Sequence, residues 1–372
     1  MAKPSFKCVT IVSQDDILDK ADPCGSKTYV TNLVKYYTSI KLNVNYVGII
    51  TNPYSNPYKT LKIFQILNKQ ISTIKFVFLL FLKSPFIKIP KNTPIHAQKP
   101  LELFPFLLRK NNKKILTLHG PELKRVRFKK GKMFNFFYHF TEKFILKKAD
   151  TIIIVDKGTY NYYTKEYSFL KNKIEIIPIG IDTEQFYPFD KISNRKLLQL
   201  DDKDKIIIFI GRLEKEKNVK FLIDSFELVH RKIQDTKLII IGRGNCKTEL
   251  TAHAKGKGIS NIIFKGEIPN NMIPKFLSIA DVLALCSIYE GSPTVIKESL
   301  ACNTPVVSLD VGDVKDVLKD FGDSYIAKRD INDFADKLII VLSSNGEIDY
   351  SKSIRQYSNI VIAQKTLDIY KK

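Results

Sequence analysis

The sequence predicts an α/β protein made of two doubly wound domains facing across a cleft, and three observations carry that prediction. Short apolar runs alternate with helical patterns along most of the chain, the order expected of parallel sheets covered by helices. At 372 residues the chain exceeds one typical core, so two domains are expected. In the second half, apolar runs begin near residues 206, 237, 261, 281, 305 and 324, which are 31, 24, 20, 24 and 19 residues apart. Such spacings suit consecutive strand–helix units.

In the first half, Cys8 to Ser13, Val44 to Ile50, Lys114 to Leu118, Thr151 to Val155 and Ile174 to Pro178 read as strands. Helical patterns cover Ser26 to Ile40 and Met133 to Lys148. The halves meet near Asp182 to Phe189, giving domains 1–183 and 184–350 and a terminal segment 351–372 that is helical from Ile360. An apolar content of 44% with 26% charged residues excludes a disordered chain. The longest apolar run, Phe76 to Leu82, is too short to cross a bilayer. The N-terminus has no signal-peptide core and leads directly into a strand. Five cysteines, an odd number without a Cys-x-x-Cys pair, read as reduced thiols of a cytoplasmic protein.

The segment Glu290-Gly-Ser-Pro-Thr-Val-Ile-Lys-Glu298 follows an apolar run and opens a helical pattern. Ser292 is the expected N-cap and Pro293 the expected first helical residue, where a missing N–H costs nothing. The amides of Thr294 and Val295 then emerge at a positive helix end suited to phosphate. Glu298 lies one turn on and leans back toward that end. Phosphate repels a carboxylate, so the pair suits a ligand bearing both phosphates and neutral hydroxyls: a nucleotide sugar.

Upstream, the buried run Ile206 to Ile210 is followed by Gly211-Arg212 and by Lys217. Ligands of open α/β sheets bind at such strand ends. Arg212 and Lys217 supply two different cations, one a planar fork and one compact. No metal site is evident. The five histidines are scattered, and no spacing matches a zinc set. The Asp-x-Asp pattern within Asp201 to Asp204 reads as a solvated linker.

Together these elements resemble the retaining glycosyltransferases of the GT-B group, family 4, which carry a Glu-x7-Glu motif in the C-terminal domain. The resemblance covers nearly the whole chain. Pro178 to Pro188 resembles the interdomain segment, and Phe209 to Lys217 the Gly-Arg-Leu element. Ile240 to Asn245, Phe264 to Ile268 and Thr304 to Val307 resemble the following strand ends. It implies the GT-B fold, two Rossmann-like domains, with the terminal helix crossing back to the first. It also implies that Arg212 and Lys217 neutralise the diphosphate, Glu298 holds ribose hydroxyls and Glu290 sits beside the donor sugar. Amides near Thr294 and Val295 add donor contacts, and backbone at Ile268 meets the base. In the first domain, Gly25 matches the second glycine of the family's phosphate loop, while Cys24 replaces the first. Thr117-Leu-His119-Gly120 resembles the family's Thr-x-His-Gly and makes His119 the main active-site histidine; His96 has no assigned role. Asn303 stands where Gly is usual, Asp156 where Ser is common, and Gly312-Asp313 where Gly-Gly is common.

The formal net charge is +22, of which +18 lies in residues 1–185. The segment Leu123 to Lys148 interleaves nine basic residues with phenylalanines, a plausible docking face for an anionic membrane. Half of those aromatics are expected in the core. The resulting expectation is a retaining hexosyltransferase using a UDP- or GDP-sugar, without a cofactor or added metal. Its acceptor is an anionic or lipid-linked glycan of surface polysaccharide synthesis, at the inner face of the cell membrane. A nucleotide-sugar epimerase of the same fold and a non-enzymatic polyanion binder remain as alternatives; nucleic acid is not an expected partner.

Overall fold

A computed structural model describes residues 6–19, 25–121, 132–198, 200–319, 325–344 and 349–372. The chain forms two compact units, Met1–Gly180 with Asn359–Lys372, and Ile181–Ser358.

The first unit contains strands β1 (Cys8–Ser13), β2 (Asn43–Ile49), β3 (Leu61–Leu67), β4 (Ile95–Ala97), β5 (Lys114–Leu118), β6 (Thr151–Ile154) and β7 (Ile174–Ile176). Its helices are α1 (Gly25–Ser39), α2 (Thr73–Lys83), α3 (Pro100–Leu103), α4 (Lys132–Lys148) and α5 (Lys157–Glu166). The strands form one sheet, ordered β3-β2-β1-β4-β5-β6-β7, with every pairing parallel. The central strands are buried on both faces, as parallel sheets require. Val9 and Ile11 belong to a core on one face and Val12 to a core on the other.

β3 and β4 go beyond the strands that the sequence predicts. β3 lies at the sheet edge, where Lys62 is exposed and the apolar run is broken. β4 is only three residues long. Asp156, where Ser is common in the family, caps α5: its carboxylate accepts from the Thr159 amide at 2.8 Å. Asn303 takes the left-handed conformation, φ 60°, as its place after a helix predicts.

The second unit holds β8 (Lys205–Ile210), β9 (Thr236–Ile241), β10 (Ile262–Gly266), β11 (Val282–Leu285), β12 (Val306–Leu309) and β13 (Ile326–Ala327). Its helices, numbered on from α5, are α6 (Lys191–Leu197), α7 (Val219–Lys232), α8 (Lys247–Gly256), α9 (Ile273–Ile279), α10 (Thr294–Ala301), α11 (Val314–Leu318), α12 (Ile331–Ser343) and α13 (Ser351–Ile354). The parallel sheet is ordered β10-β9-β8-β11-β12-β13. Ile354 and Tyr357 are buried in this unit's single core, which is why residues 351–358 belong here rather than with the terminal segment. The last helix, α14 (Asn359–Lys371), belongs to the first unit. There Tyr36 Oη donates to Gln364 Oε1 at 2.8 Å, and Asn32 Nδ2 to Asn359 Oδ1 at 2.7 Å.

Candidate active site

In the second unit the chain leaves β8 toward β9 and leaves β11 toward β12, while β8 and β11 are themselves neighbours. That is a topological switch point, the position at which open α/β sheets bind their ligands. Gly211, Arg212 and Lys217 follow β8; Ser287 and Glu290 follow β11. The two loops are tied together. The Ile288 amide donates to the Glu216 carbonyl at 2.8 Å, and Cys286 Sγ to the Lys217 carbonyl at 3.2 Å.

These ties bring Lys217 and Glu290 into contact across 73 residues of sequence: Lys217 Nζ pairs with Glu290 Oε1. Ser287 Oγ also donates to that oxygen at 2.7 Å. Sequence reasoning gave the two residues separate tasks, cation for phosphate and acid beside sugar, and did not foresee that they hold each other. Arg212 stands outside the pair. It is well exposed, and its guanidinium reaches Glu216 at 3.1 Å. An exposed arginine in a surface ion pair of this kind retains most of its hydration and is easily redirected to an anion.

Two glycines let the loops approach. Gly242 has φ +139°, and a Cβ there would lie 1.9 Å from the Gly211 carbonyl oxygen. Gly312 has φ +58°, and its Cβ would lie 1.9 Å from the Gly291 oxygen. Both positions exclude any side chain. The Asp313 amide then donates to the Gly291 carbonyl at 3.0 Å.

α10 begins at Thr294 with Pro293 as its cap, one residue later than the sequence predicts, and no side chain caps it. The Ser292 hydroxyl is held by Asp313 Oδ2 and Lys297 Nζ, each at 2.6 Å. Thr294 and Val295 are partly exposed in the first turn. Glu298 leans back onto the Thr294 side chain, as expected. Burial pushes its carboxyl up to about 7, opposed by that hydrogen bond and by the nearby Lys297 charge. A carboxyl so poorly solvated gains by accepting hydrogen bonds from ligand hydroxyls.

Beneath this turn lies a cluster that the sequence analysis missed. Lys297 is fully buried, and its ammonium pairs with Asp313 Oδ2 at 2.6 Å. The ammonium also sits over the Tyr357 ring, 5.1 Å from its centroid. The signal was available: 293, 297, 300 and 301 fall on one helical stripe whose other members are apolar or Pro. A lysine there is inward-facing and needs an anionic partner.

Ile268 follows β10 at the sheet edge, partly packed against the core. Gly25 and His119 lie in the first unit, linked through Tyr29: Gly25 opens α1, and the Tyr29 ring meets His119 edge-on at 5.4 Å. A Cβ on Gly25 would be 3.5 Å from Ile179 Cδ1, an ordinary contact, so the fold itself does not demand glycine there. His119 Nε2 is 3.1 Å from Gln98 Oε1. His96 is fully buried between Tyr370 Oη at 2.6 Å and Thr117 Oγ1 at 2.7 Å. Burial lowers its pKa to about 3, with His119 adding to the effect, and it serves as a neutral core group. Cys24 and residues 123–131 lie outside the described residues. Among the described residues no group of His, Cys, Asp and Glu could hold a metal ion. Asp204 instead pairs with Lys237 at 2.5 Å.

Two doubly wound units, one with a lysine–carboxylate pair at its switch point beside an uncapped helix end, place the molecule in the two-domain Rossmann-like class. Residues 25–185 match the family described as Glycosyltransferase Family 4, and residues 190–359 match Glycosyl transferases group 1. The chain belongs to the GT-B glycosyltransferases of family 4. Among curated relatives, it is 30% identical over 247 residues to N-acetylgalactosamine-N,N'-diacetylbacillosaminyl-diphospho-undecaprenol 4-alpha-N-acetylgalactosaminyltransferase of Campylobacter jejuni. That alignment covers 64% of each chain, so it spans less than two thirds of the relative's length. Among solved structures, sucrose-phosphate synthase from Thermosynechococcus elongatus superposes with a TM-score of 0.80 at 19% identity, covering 98% of both chains. The Anabaena protein HepE, solved with UDP and glucose, gives a TM-score of 0.74 at 14% identity, also covering 98% of both chains. At these identities the structures speak for the fold.

Proposed function

We propose that this chain is a retaining glycosyltransferase that moves a hexose-type sugar from a UDP- or GDP-sugar to a lipid-linked or anionic glycan. The observation that carries the reading is the contact between Lys217 and Glu290 at the switch point, beside the first turn of α10. In the proposed cycle Lys217 exchanges its carboxylate for the donor diphosphate, joined by Arg212 and the amides of Thr294 and Val295. Glu290, released from the ammonium, accepts hydroxyls of the sugar, and Glu298 accepts those of the ribose.

In the transfer step the bond from the anomeric carbon to the diphosphate oxygen breaks and a bond to the acceptor oxygen forms on the same face. The acceptor's proton passes to the departing phosphate, and the nucleoside diphosphate leaves. Preorganised cations and amides stabilise the charge that develops, so the reaction runs without added metal. The family resemblance also assigns active-site roles to His119 and Gly25 of the first unit. The lipid-linked acceptor is supported by the Campylobacter relative, whose name specifies a diphospho-undecaprenol acceptor, and UDP by the HepE complex. The protein works at the inner membrane face, its basic first unit toward anionic lipid.

The test is a thermal-shift screen of UDP- and GDP-sugars, because a bound donor raises stability by mass action, followed by assignment of the product's anomeric configuration. Stabilisation by a donor and a product of retained configuration support the reading. An inverted product removes the mechanism, and donor conversion without acceptor favours an epimerase.

A further inference from the structure

The apolar run Phe76 to Leu82 finds no role in the donor site, and it lies in a helix that is apolar on both sides. α2 buries Phe76 and Leu80 in the core of the first unit. On its opposite stripe Ile74, Phe78, Phe81 and Leu82 are each at least half exposed, at helical spacings of four, three and one. A soluble surface helix carries polar residues on that stripe. The apolar surface continues beyond α2. Phe81 stacks on Phe104, with ring centroids 6.2 Å apart, and Leu108 is 92% exposed. α3, which precedes Phe104, packs against both α2 and α4. On α4, Phe136, Phe140 and Phe144 repeat every fourth residue, and all three are exposed.

Exposed apolar surface of this kind marks an interaction site, and charge identifies its occupant. Between residues 51 and 148 the sequence has three carboxylates, Glu102, Glu122 and Glu142. Glu102 and Glu142 are fully buried, and Glu122 lies outside the described residues. Lys75 on α2 and Lys143, Lys147 and Lys148 on α4 are exposed. A second copy of the chain would bring the same lysines against these. An anionic lipid surface matches them and accepts the aromatic side chains at its headgroup–acyl boundary.

We infer that α2 and α4 insert their outward phenylalanines into an anionic bilayer, so that the protein is held by apolar contact and not by charge alone. This rests on the membrane partner proposed above and adds depth of insertion to it. The chain contains no tryptophan, so a single Phe78→Trp substitution gives an unambiguous reporter.

The full-length Phe78→Trp protein is mixed with phosphatidylglycerol–phosphatidylcholine vesicles and its emission recorded, with and without brominated acyl chains. A blue shift and quenching by bromine are expected. A triple Phe78→Ser, Phe81→Ser, Leu82→Ser variant should lose at least about tenfold in vesicle partitioning while keeping activity on a water-soluble acceptor. Co-sedimentation without shift or quenching overturns insertion and leaves charge-driven adsorption standing. No co-sedimentation overturns both the insertion and the membrane partner. A concentration-dependent dimer that the triple variant abolishes assigns the face to a second copy and overturns the inference.

Discussion

Replacing Lys297 with Met should damage the second unit far more than the replacement of an exposed lysine would. The ammonium is fully buried and Asp313 nearly so, with 2.6 Å between them. Ser292 Oγ donates to the same carboxylate oxygen. Methionine fills most of the lysine stem's volume, so the packing loss is small, but a carboxylate is left buried with one hydroxyl. Breaking such a pair from one side costs about 3–5 kcal/mol. For a unit of this size each kcal/mol lowers Tm by about 2–4 °C, so a fall on the order of 10 °C is expected. Asp313→Asn should cost a similar amount, for the lysine then lacks its counter-ion. The Lys297→Met, Asp313→Asn double variant should recover most of the loss, since removing both charges removes both desolvation penalties. Scanning calorimetry on the four proteins yields the coupling. Additive single losses, or a Lys297→Met protein within about 0.5 kcal/mol of the parent, would refute the reasoning.

Glu298→Gln should weaken donor binding by on the order of 1–3 kcal/mol with the fold intact; unchanged calorimetric binding removes Glu298 from the site. The same variant tests its titration. The folded carboxyl, raised to about 7, keeps a proton that the unfolded chain releases near its ordinary value of about 4.3. Stability from this group is therefore full at low pH, declines as pH rises from about 4.3 toward 7 and is level above. Thermal melts between pH 5 and 8 should show a shallower decline in the Gln variant. Arg212→Ala and Lys217→Ala should each lower turnover about a hundredfold or more, with EDTA inert; strict magnesium dependence with unaffected variants contradicts the assignment. Neutralising Lys124, Arg125, Lys129 and Lys130 together should release much of the protein from acidic liposomes, each contributing about 1 kcal/mol. That binding should weaken steeply with salt, as screening acts within about 10 Å at 0.1 M, and equal binding to neutral liposomes counts against it.

The alternating order of strands and helices was legible in the sequence because parallel strands, buried on both faces, must be apolar throughout. β1 and β5 coincide with their predicted spans, and the strand starts of the second unit fall within two residues of prediction. β3 and β4 were not legible: an edge strand tolerates Lys62 and Gln65, and three residues are too few to show a period. The segment from Glu290 to Glu298 could be singled out from its order and spacing, because helix starts and close loop turns depend on local chemistry. The partners of its residues could not. The meeting of Lys217 with Glu290, the bond from Ser292 to Asp313, and the choice of Asp313 as the partner of buried Lys297 all depend on which loops the sheet order makes adjacent. Adjacency across a sheet is set by packing among strands distant in sequence, and a linear pattern carries no record of it. The outward phenylalanines of α2 follow the same rule. Their apolarity was plain in the chain, but only the tertiary structure decided that Phe76 and Leu80 take the core and leave Phe78 and Phe81 outside.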